Sequence, residues 1–207
     1  MIIRTATLND LPTIVKIHVA AFPGFFMTLL GPQFLTAYYQ LVIEYPKSLC
    51  LVLEEASIQG FVVGFTTPSL FYQRLSARKI SFGFAALSYL VWRPSLWSQI
   101  LSNSRRVSHA ASQQGVDEKV LELASIGVNP EAGRRGFGKE LVHHFLEHAA
   151  QYQVDKVVLT TDARENDAVN IFYQQLGFRI ARVFETSGQR LMNEYVFDFD
   201  TSVSSKK

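Results

Sequence analysis

The chain has 207 residues, of which 48% are hydrophobic and 18% are charged, and its formal net charge at pH 7 is +2. This balance excludes an intrinsically disordered protein, which combines low hydrophobicity with high net charge, and the length is typical of one domain. Cys50 is the only cysteine, so an intramolecular disulfide and a multi-cysteine metal site are excluded and a reducing, cytoplasmic location is expected. The polar residues after Ile3 predict no secretory signal, and the nearly apolar run at 82–92 is too short to span a bilayer.

The first 67 residues show patterns typical of a strand, two helices and a hairpin. Apolar and polar residues alternate at the start of the chain, and helical spacing of apolar residues follows. Pro12 falls in the first turn of the first predicted helix, where its missing N–H costs little. The elements predicted in this part are a strand at 2–6, a helix from about 10 to 22, a helix beginning at Gly31-Pro32, and strands at 48–54 and 60–66.

Residues 68–116 combine aromatic and basic side chains and predict an insert of helical segments at 70–79, 82–92 and 96–107. From residue 119 onward the pattern becomes regular. It predicts strands at 119–128, 156–161, 178–184 and 190–199 and helices at 138–151 and 167–176. Strands interleaved with helices indicate one α/β domain with a mixed sheet over residues 1–201, followed by a polar tail at 202–207.

The insert also carries an unusual charge. Residues 68–116 contain six Lys or Arg and no Asp or Glu. Such cations either solvate helix surfaces or attract an anionic partner, such as a nucleotide-linked substrate, a nucleic acid or a membrane surface. The segment lacks a basic run with regularly interleaved aromatic residues, so no nucleic-acid partner is expected. The six cations are Arg74, Arg78, Lys79, Arg93, Arg105 and Arg106.

The most informative segment is a glycine-rich turn at residues 126–141, between a predicted strand and a predicted helix. Such a turn exposes backbone N–H groups at a helix N-terminus, where the helix dipole adds positive potential. Arg134, Arg135 and Lys139 increase that potential, so the turn suits a phosphate or pyrophosphate; an ordinary strand-to-helix turn is the alternative. A Walker A loop is excluded because Glu140 replaces the hydroxyl residue, and the dinucleotide fingerprint fails because Leu141 replaces its third glycine.

The pattern Val128-x-Pro130-x-x-Gly133-x-x-Gly136-x-Gly138 resembles the coenzyme A loop of the GNAT superfamily of N-acetyltransferases. Gly133 departs from the family, which usually has Gln or Arg there. The resemblance implies that acetyl-CoA is the co-substrate, held mainly by backbone N–H groups, and that no metal takes part. The cofactor-binding residues that it implies in this turn are Ile126, Gly127, Val128, Arg134, Arg135, Gly136, Phe137, Gly138 and Lys139.

A second motif, at residues 165–178, looks like the family signature N-x(6)-Y-x(3)-G-F. Asn166 stands at a helix N-cap and Gly177 closes the helix. By resemblance, Asn166 and Asn170 bind the pantetheine or phosphate region and Tyr173 acts near the thioester sulfur. A phenol suits the protonation of a departing thiolate, whereas a core tyrosine is the alternative interpretation.

The resemblance covers residues 1–67 and 117–199. It implies an α/β fold with a mixed, mostly antiparallel central sheet, helices on both faces, and a helical insert between the third and fourth strands. The implied reaction is direct transfer of an acetyl group from acetyl-CoA to a primary amine. Glu122, on the strand before the turn, is the candidate general base through a water relay, with a solvent-facing glutamate as the alternative; His18 is a weaker candidate base.

The acceptor and the partners are less constrained by the sequence. Cations beside aromatic rings in the insert suit a small anionic or sugar-linked amine; contact with anionic lipid through residues 78–93 and plain core packing are the alternatives. His144 and His148 lie one helical turn apart without a third ligand, so no metal site is expected. The protein is expected to be a monomer or a homodimer. A non-catalytic acyl-CoA-binding or regulatory module and a P-loop-like phosphotransferase remain as other classes.

Overall fold

The structure, a computed structural model, describes residues 1–78, 119–132, 134–186 and 190–199. Its strands are β1 (Ile2–Thr5), β2 (Ser48–Glu54), β3 (Ile58–Thr66), β4 (Val120–Val128), β5 (Lys156–Asp162), β6 (Arg179–Glu185) and β7 (Leu191–Asp198). The helices in the same residues are α1 (Leu11–Ala21), α2 (Phe26–Leu29), α3 (Pro32–Glu44), α4 (Pro68–Ala77), α5 (Phe137–Gln151) and α6 (Asp167–Gln175).

The strands form a seven-stranded sheet in the order β1-β2-β3-β4-β5-β7-β6. β4 and β5 run parallel, and every other neighbouring pair is antiparallel. The parallel pair is made possible by α5, which crosses back over the sheet between the two strands. The sequence-based prediction of a mixed, mostly antiparallel sheet is therefore confirmed.

Helices cover both faces of this sheet, as predicted. On one face, Leu141 and Phe145 of α5 are fully buried against the sheet, in a cluster that also contains Tyr173 of α6. On the other face, Ile14 of α1 and Tyr39 of α3 are fully buried in a second cluster. The sheet is thus the middle layer of three, and α1, α3 and α5 each bury the apolar stripe that their periodicity predicts.

The predicted elements agree with the described ones to within about two residues at most ends. The short helix α2 was not predicted, because four residues are too few to show a helical period. In the insert, the helical segment predicted at 70–79 corresponds to α4, which begins and ends two residues earlier. The predicted helices at 82–92 and 96–107 lie outside the described residues. Within the described ranges, no helix is long and apolar enough to cross a membrane.

An irregularity in β4 shapes the sheet where the two parallel strands meet. Val63 pairs with Ser125 and Gly64 pairs with Leu123, so Ala124 is an extra residue, a β-bulge. A Cβ atom on Gly64 would overlap the Glu122 carbonyl oxygen and the Phe145 ring, so only glycine lets this ring pack against the sheet here. β4 and β5 pair only from Val120 to Glu122, and beyond that point they diverge.

Candidate active site

The divergence of β4 and β5 opens a cleft of about 540 Å³. Residues 123–126 and Val128 line it on the β4 side, and residues 159–162 line it on the β5 side. Tyr173 of α6 and His18 of α1 also line the cleft, although these two helices pack on opposite faces of the sheet. The cleft therefore connects one face of the sheet with the other.

The β4 edge of the cleft has a backbone that is free to bind a ligand. Ile126, Gly127 and Val128 pair with β3 on one side. On the side that faces β5, the described residues offer these three no strand partner, because β4–β5 pairing stops at Glu122. Unpaired backbone groups of a strand are strong hydrogen-bonding sites, so this edge suits an extended ligand that runs along it.

The glycine-rich turn leads from this edge into α5. Gly136 has φ 81° at the N-cap of α5, a left-handed conformation that favours glycine, and a Cβ atom there would meet nothing within 4 Å. Phe137 is buried under the first turn of the helix, while Arg134 and Lys139 are exposed. The exposed N-terminus of α5 with these two cations is favourable for an anion; Gly133 lies outside the described residues.

Arg135 has a different environment from the other two cations of the turn. It donates to both carboxylate oxygens of Glu55, at 2.7 and 2.8 Å, and its guanidinium lies 4.6 Å from the centre of the Phe137 ring. Within the described part of the chain, no carboxylate pairs with Arg134 or Lys139. Arg135 thus fastens the turn to the β2–β3 hairpin, and Arg134 and Lys139 are the cations left to face a ligand.

Tyr173 lies on α6 with its side chain in the cleft wall. The residue is 6% exposed, and its ring packs against Phe178 and Tyr195, with centroids 5.7 and 5.9 Å away. Burial raises the pKa of its hydroxyl above the usual value of tyrosine. The phenol is therefore protonated at neutral pH, in a residue that lines the cleft.

The two asparagines of α6 are placed differently. Asn166 lines the cleft, and its side chain, instead of capping the helix, donates to the Thr161 hydroxyl at 2.8 Å. Asn170 is buried and donates to the carbonyl oxygens of Asp162 and Asn166 at 3.1 and 3.0 Å. Its own oxygen accepts from Asn193 and Tyr195, both at 3.0 Å. Asn166 therefore lies in the cleft wall, and its contact with the cofactor stays a prediction. The geometry does not favour such a contact for Asn170, because its amide is fully used inside the protein.

We expect Asn170→Ala to lower the free energy of unfolding by about 2 kcal/mol, because buried partners of Asn170 lose their hydrogen bonds and each such group costs about 1–3 kcal/mol. Urea unfolding followed by circular dichroism measures this change. Ile171→Ala, at an exposed position of the same helix, is the matched control and should change stability by less than about 1 kcal/mol. Equal effects of the two substitutions would contradict this role of Asn170.

Glu122 is the last residue of β4 that pairs with β5, one position before the lining of the cleft begins. Tyr72 of α4 donates to one of its carboxylate oxygens at 2.9 Å, and the other oxygen is buried without a hydrogen-bond partner. Burial raises the pKa of Glu122 to about 7, and the negative charge of Glu194 adds to this effect. The alternative interpretation of a solvent-facing glutamate is therefore wrong.

His18 lies on the opposite side of the cleft from α6. Its Nδ1 atom is 2.7 Å from the Tyr39 hydroxyl, which is 3.5 Å from the Ser125 hydroxyl, and its Nε2 atom is buried without a hydrogen-bond partner. Burial lowers the pKa of His18 to about 4, so the ring is neutral at pH 7. A base of such low pKa takes a proton from an ammonium ion less readily than Glu122 does.

Two groups of cleft residues were not singled out by the sequence analysis. Asp162 and Arg190 form a bidentate ion pair in the cleft wall. Phe22, Phe25 and Phe26 form an apolar wall beside His18. No sequence signal indicates the ion pair, because its members are 28 residues apart. The cluster of aromatic residues around Pro23-Gly24 can be seen in the sequence. It does not by itself indicate a cleft wall, because such residues are equally typical of the end of a helix.

The cations of the insert that the structure describes do not line this cleft. Arg74 lies over the Tyr45 ring, 5.1 Å from its centre, and Arg78 is 3.9 Å from the Glu44 carboxylate. Both belong to α4 or its end, and Arg93 lies outside the described residues. These positions give no support to the expectation that Arg74 and Arg78 bind an anionic acceptor.

Nucleophilic and metal chemistry find little support in the described residues. Cys50 is buried and burial raises the pKa of its thiol to about 12, so it is a poor nucleophile. Nδ1 of His144 lies 3.2 Å from a carboxylate oxygen of Glu147. Nδ1 of His148 lies 2.7 Å from the His144 carbonyl oxygen, within hydrogen-bond distance. Among the residues that the structure describes, no three His, Cys, Asp or Glu side chains are grouped to hold a metal ion.

Comparison with known proteins gives one family and many similar folds. The model of the acetyltransferase (GNAT) family matches residues 11–178. The structure is similar to a ribosomal-protein-alanine N-acetyltransferase from Brucella melitensis, with 17% identity, a TM-score of 0.62 and coverage of 96% of this chain and 100% of that chain. It is also similar to the ribosomal-protein-S18-alanine N-acetyltransferase from Escherichia coli, with 14% identity, a TM-score of 0.56 and coverage of 100% and 98%.

A third similar structure is an N-acetyltransferase from Staphylococcus aureus Mu50, with 17% identity, a TM-score of 0.60 and coverage of 95% of this chain and 97% of that chain. No curated protein sequence matches the chain. At these identities the structural likeness concerns the fold alone, whereas the family model spans most of the sequence.

Proposed function

Because the chain belongs to the GNAT acetyltransferase family and is an acetyl-CoA-dependent N-acetyltransferase, we propose that its acceptor is a small anionic or sugar-linked primary amine and that the cleft between β4 and β5 is its active site. The observation that carries the location of the active site is the divergence of the two strands immediately beside the glycine-rich turn. It brings the free strand edge and the protonated phenol into one cleft, next to the N-terminus of α5.

The residues of the turn and of the strand edge fit coenzyme A. The extended pantetheine arm would form backbone hydrogen bonds with the unpaired edge at Ile126, Gly127 and Val128. The pyrophosphate would bind at the N-terminus of α5, beside the positive charges of Arg134 and Lys139. Gly138 lines the cleft, where its missing side chain keeps the backbone accessible. Asn166 stands on the far wall, within reach of the same ligand. Acetyl-CoA, when bound, supplies the acetyl group as a thioester.

Two side chains supply the proton transfers. Glu122, with its pKa near 7, accepts a proton from the acceptor ammonium through a relay of water molecules, since the cleft lining begins one residue further along β4. The free amine forms the new C–N bond as the C–S bond of the thioester breaks, and the nitrogen then loses its second proton to water. Glu122 releases the proton it accepted to solvent and is ready for the next turnover. Tyr173 donates its proton to the departing sulfur and regains one from solvent. The ring contacts of Tyr173 hold its hydroxyl in place for this step.

We expect acetyl-CoA to bind with one site per chain in the presence of EDTA, as measured by isothermal titration calorimetry. Arg134→Glu and Lys139→Glu should each weaken binding by about tenfold, because a repulsive charge replaces an attractive one near the anion. Lys16→Glu, at an exposed site on α1, is the control and should not change the affinity. Magnesium-dependent ATP binding without acetyl-CoA binding would instead identify a phosphotransferase.

Release of coenzyme A thiol over a panel of amines separates an enzyme from a non-catalytic acyl-CoA-binding module. Acetyl-CoA binding with amine-dependent thiol release supports the proposed activity. Binding without thiol release for any amine would favour the regulatory module, for which the protonated Tyr173 in the cleft would have no use.

A further inference from the structure

The ion pair between Asp162 and Arg190 is a feature of the cleft that the proposed chemistry leaves unused. Nε of Arg190 donates to Oδ1 of Asp162 at 2.9 Å, and a second guanidinium nitrogen contacts Oδ2. The side chains of Asp162 and Arg190 are 26% and 44% exposed. Among the described residues that line the cleft, these are the two side chains charged at neutral pH, because His18 and Tyr173 are neutral there.

The pair stands on the side of the sheet that carries α1. Successive side chains of a strand point to opposite faces. Thr161 of β5 and Asn193 of β7 bond to side chains of α6, namely Asn166 and Asn170. Asp162, next to Thr161 on β5, therefore points to the opposite face, where His18 and the phenylalanines of the apolar wall lie. The tyrosine that protonates the sulfur and the ion pair thus approach the cleft from different faces.

An acceptor amine arrives at neutral pH as an ammonium ion, which needs a negative partner when it leaves water. Asp162 is such a partner in the cleft wall. When the ammonium ion binds Asp162, Arg190 loses its carboxylate partner. A second anionic group is then needed to bind the Arg190 guanidinium. Because a part-exposed ion pair contributes only about 0.2–1 kcal/mol, exchanging the pair for two equivalent contacts with a ligand costs little.

We propose that the Asp162–Arg190 pair is the recognition site for the acceptor, and that the acceptor is a zwitterionic primary amine. Its ammonium group binds Asp162, and its carboxylate or phosphate group binds Arg190. The planar guanidinium presents two parallel N–H groups, which fit either anion. This inference rests on the proposed function and specifies its acceptor, and it assigns the recognition of the anion to Arg190, just before β7, instead of to the insert.

Three small primary amines test the inference: 2-aminoethyl phosphate, β-alanine and ethanolamine. They carry a phosphate, a carboxylate and a neutral hydroxyl, so they also distinguish the two anions. Calorimetry on the protein saturated with coenzyme A should show that at least one anionic amine binds about tenfold or more tightly than ethanolamine, since a charge-assisted contact contributes about 1.5–3 kcal/mol. The kcat/KM values for thiol release should follow the same order.

The variants identify the source of the preference. Arg190→Gln should abolish the advantage of the anionic amine over ethanolamine, and Asp162→Asn should weaken the binding of all the amines that bind. Arg179→Gln is the matched control, because Arg179 forms a similar exposed pair with Asp198 on the same sheet outside the cleft. It should keep the preference of the wild type.

The possible results separate this inference from the proposed function. Two results overturn the recognition site alone when coenzyme A still binds. In the first, the anionic amines bind no more tightly than ethanolamine; in the second, they do not bind at all. A preference that survives in Arg190→Gln overturns it as well. Failure of the wild type to bind coenzyme A overturns both the recognition site and the proposed function.

Discussion

Replacing Tyr173 by Phe is expected to lower kcat by about 100-fold or more while the Kd for acetyl-CoA changes little. The substitution removes one hydroxyl and keeps the ring, whose contacts with Phe178 and Tyr195 hold α6 in place. Without the hydroxyl, the thiolate leaves unprotonated, and loss of a general acid typically costs about 100- to 10,000-fold in rate. The loss should therefore appear in kcat rather than in binding.

Single-turnover measurement of thiol release gives the rate of the chemical step directly, and calorimetry gives the Kd. Tyr152→Phe is the control, since Tyr152 is exposed and its hydroxyl donates to the Ser48 carbonyl oxygen at 3.4 Å. That variant should keep the wild-type rate. An unchanged rate in Tyr173→Phe, with chemistry shown to be limiting, would remove Tyr173 from the mechanism and leave it as a core tyrosine.

Local patterns predict most of the fold. The apolar run of β2 and the helical stripes of α1, α3 and α5 arise from residues close in the sequence, so these patterns are visible directly. The turn at Gly136 is also predictable, because a left-handed N-cap between a strand and a helix favours glycine. The coenzyme A loop is therefore recognisable from the amino-acid sequence alone.

Contacts between distant residues are not predictable in this way. The strand that carries Glu122 suggests a candidate base, but its partner Tyr72 is 50 residues away and its burial depends on α4. Asp162 and Arg190 meet because β5 and β7 are neighbours in the sheet, which no local pattern specifies. In the same way, Asn170 fits the family motif in sequence, but Asn193 and Tyr195 on β7 donate hydrogen bonds to its side-chain oxygen. No local pattern predicts these contacts.

The β-bulge at Ala124 explains why the shape of the site is not evident from the sequence. One extra residue in β4 changes which side chains face each layer, and it coincides with the end of pairing to β5. The local sequence of β4 carries no signal for the extra residue. The divergence that opens the cleft therefore depends on pairing with two other strands rather than on the residues of β4 themselves.

Replacing Glu122 by Gln is expected to lower kcat/KM by about 100-fold or more at pH 8 and to remove a pH dependence that the wild type shows. The base works only when it is deprotonated. With a pKa of about 7 in the folded protein, the deprotonated fraction falls as the pH drops below 7. We therefore expect the kcat/KM of the wild type to rise with pH through about 7 and to level off above it.

The glutamine variant keeps the size of the side chain and its ability to accept a hydrogen bond from Tyr72, so a loss of activity reflects the missing base rather than lost packing. Profiles of kcat/KM from about pH 5.5 to about pH 9, which include the expected midpoint near 7, should show the rise in the wild type and not in Glu122→Gln. Glu194→Gln should move the midpoint to lower pH, because the charge of Glu194 raises the pKa of Glu122. Glu185→Gln, at the far end of β6, should leave the profile unchanged. A profile that keeps its rise near pH 7 in Glu122→Gln would assign the titration to another group and take Glu122 out of the reaction.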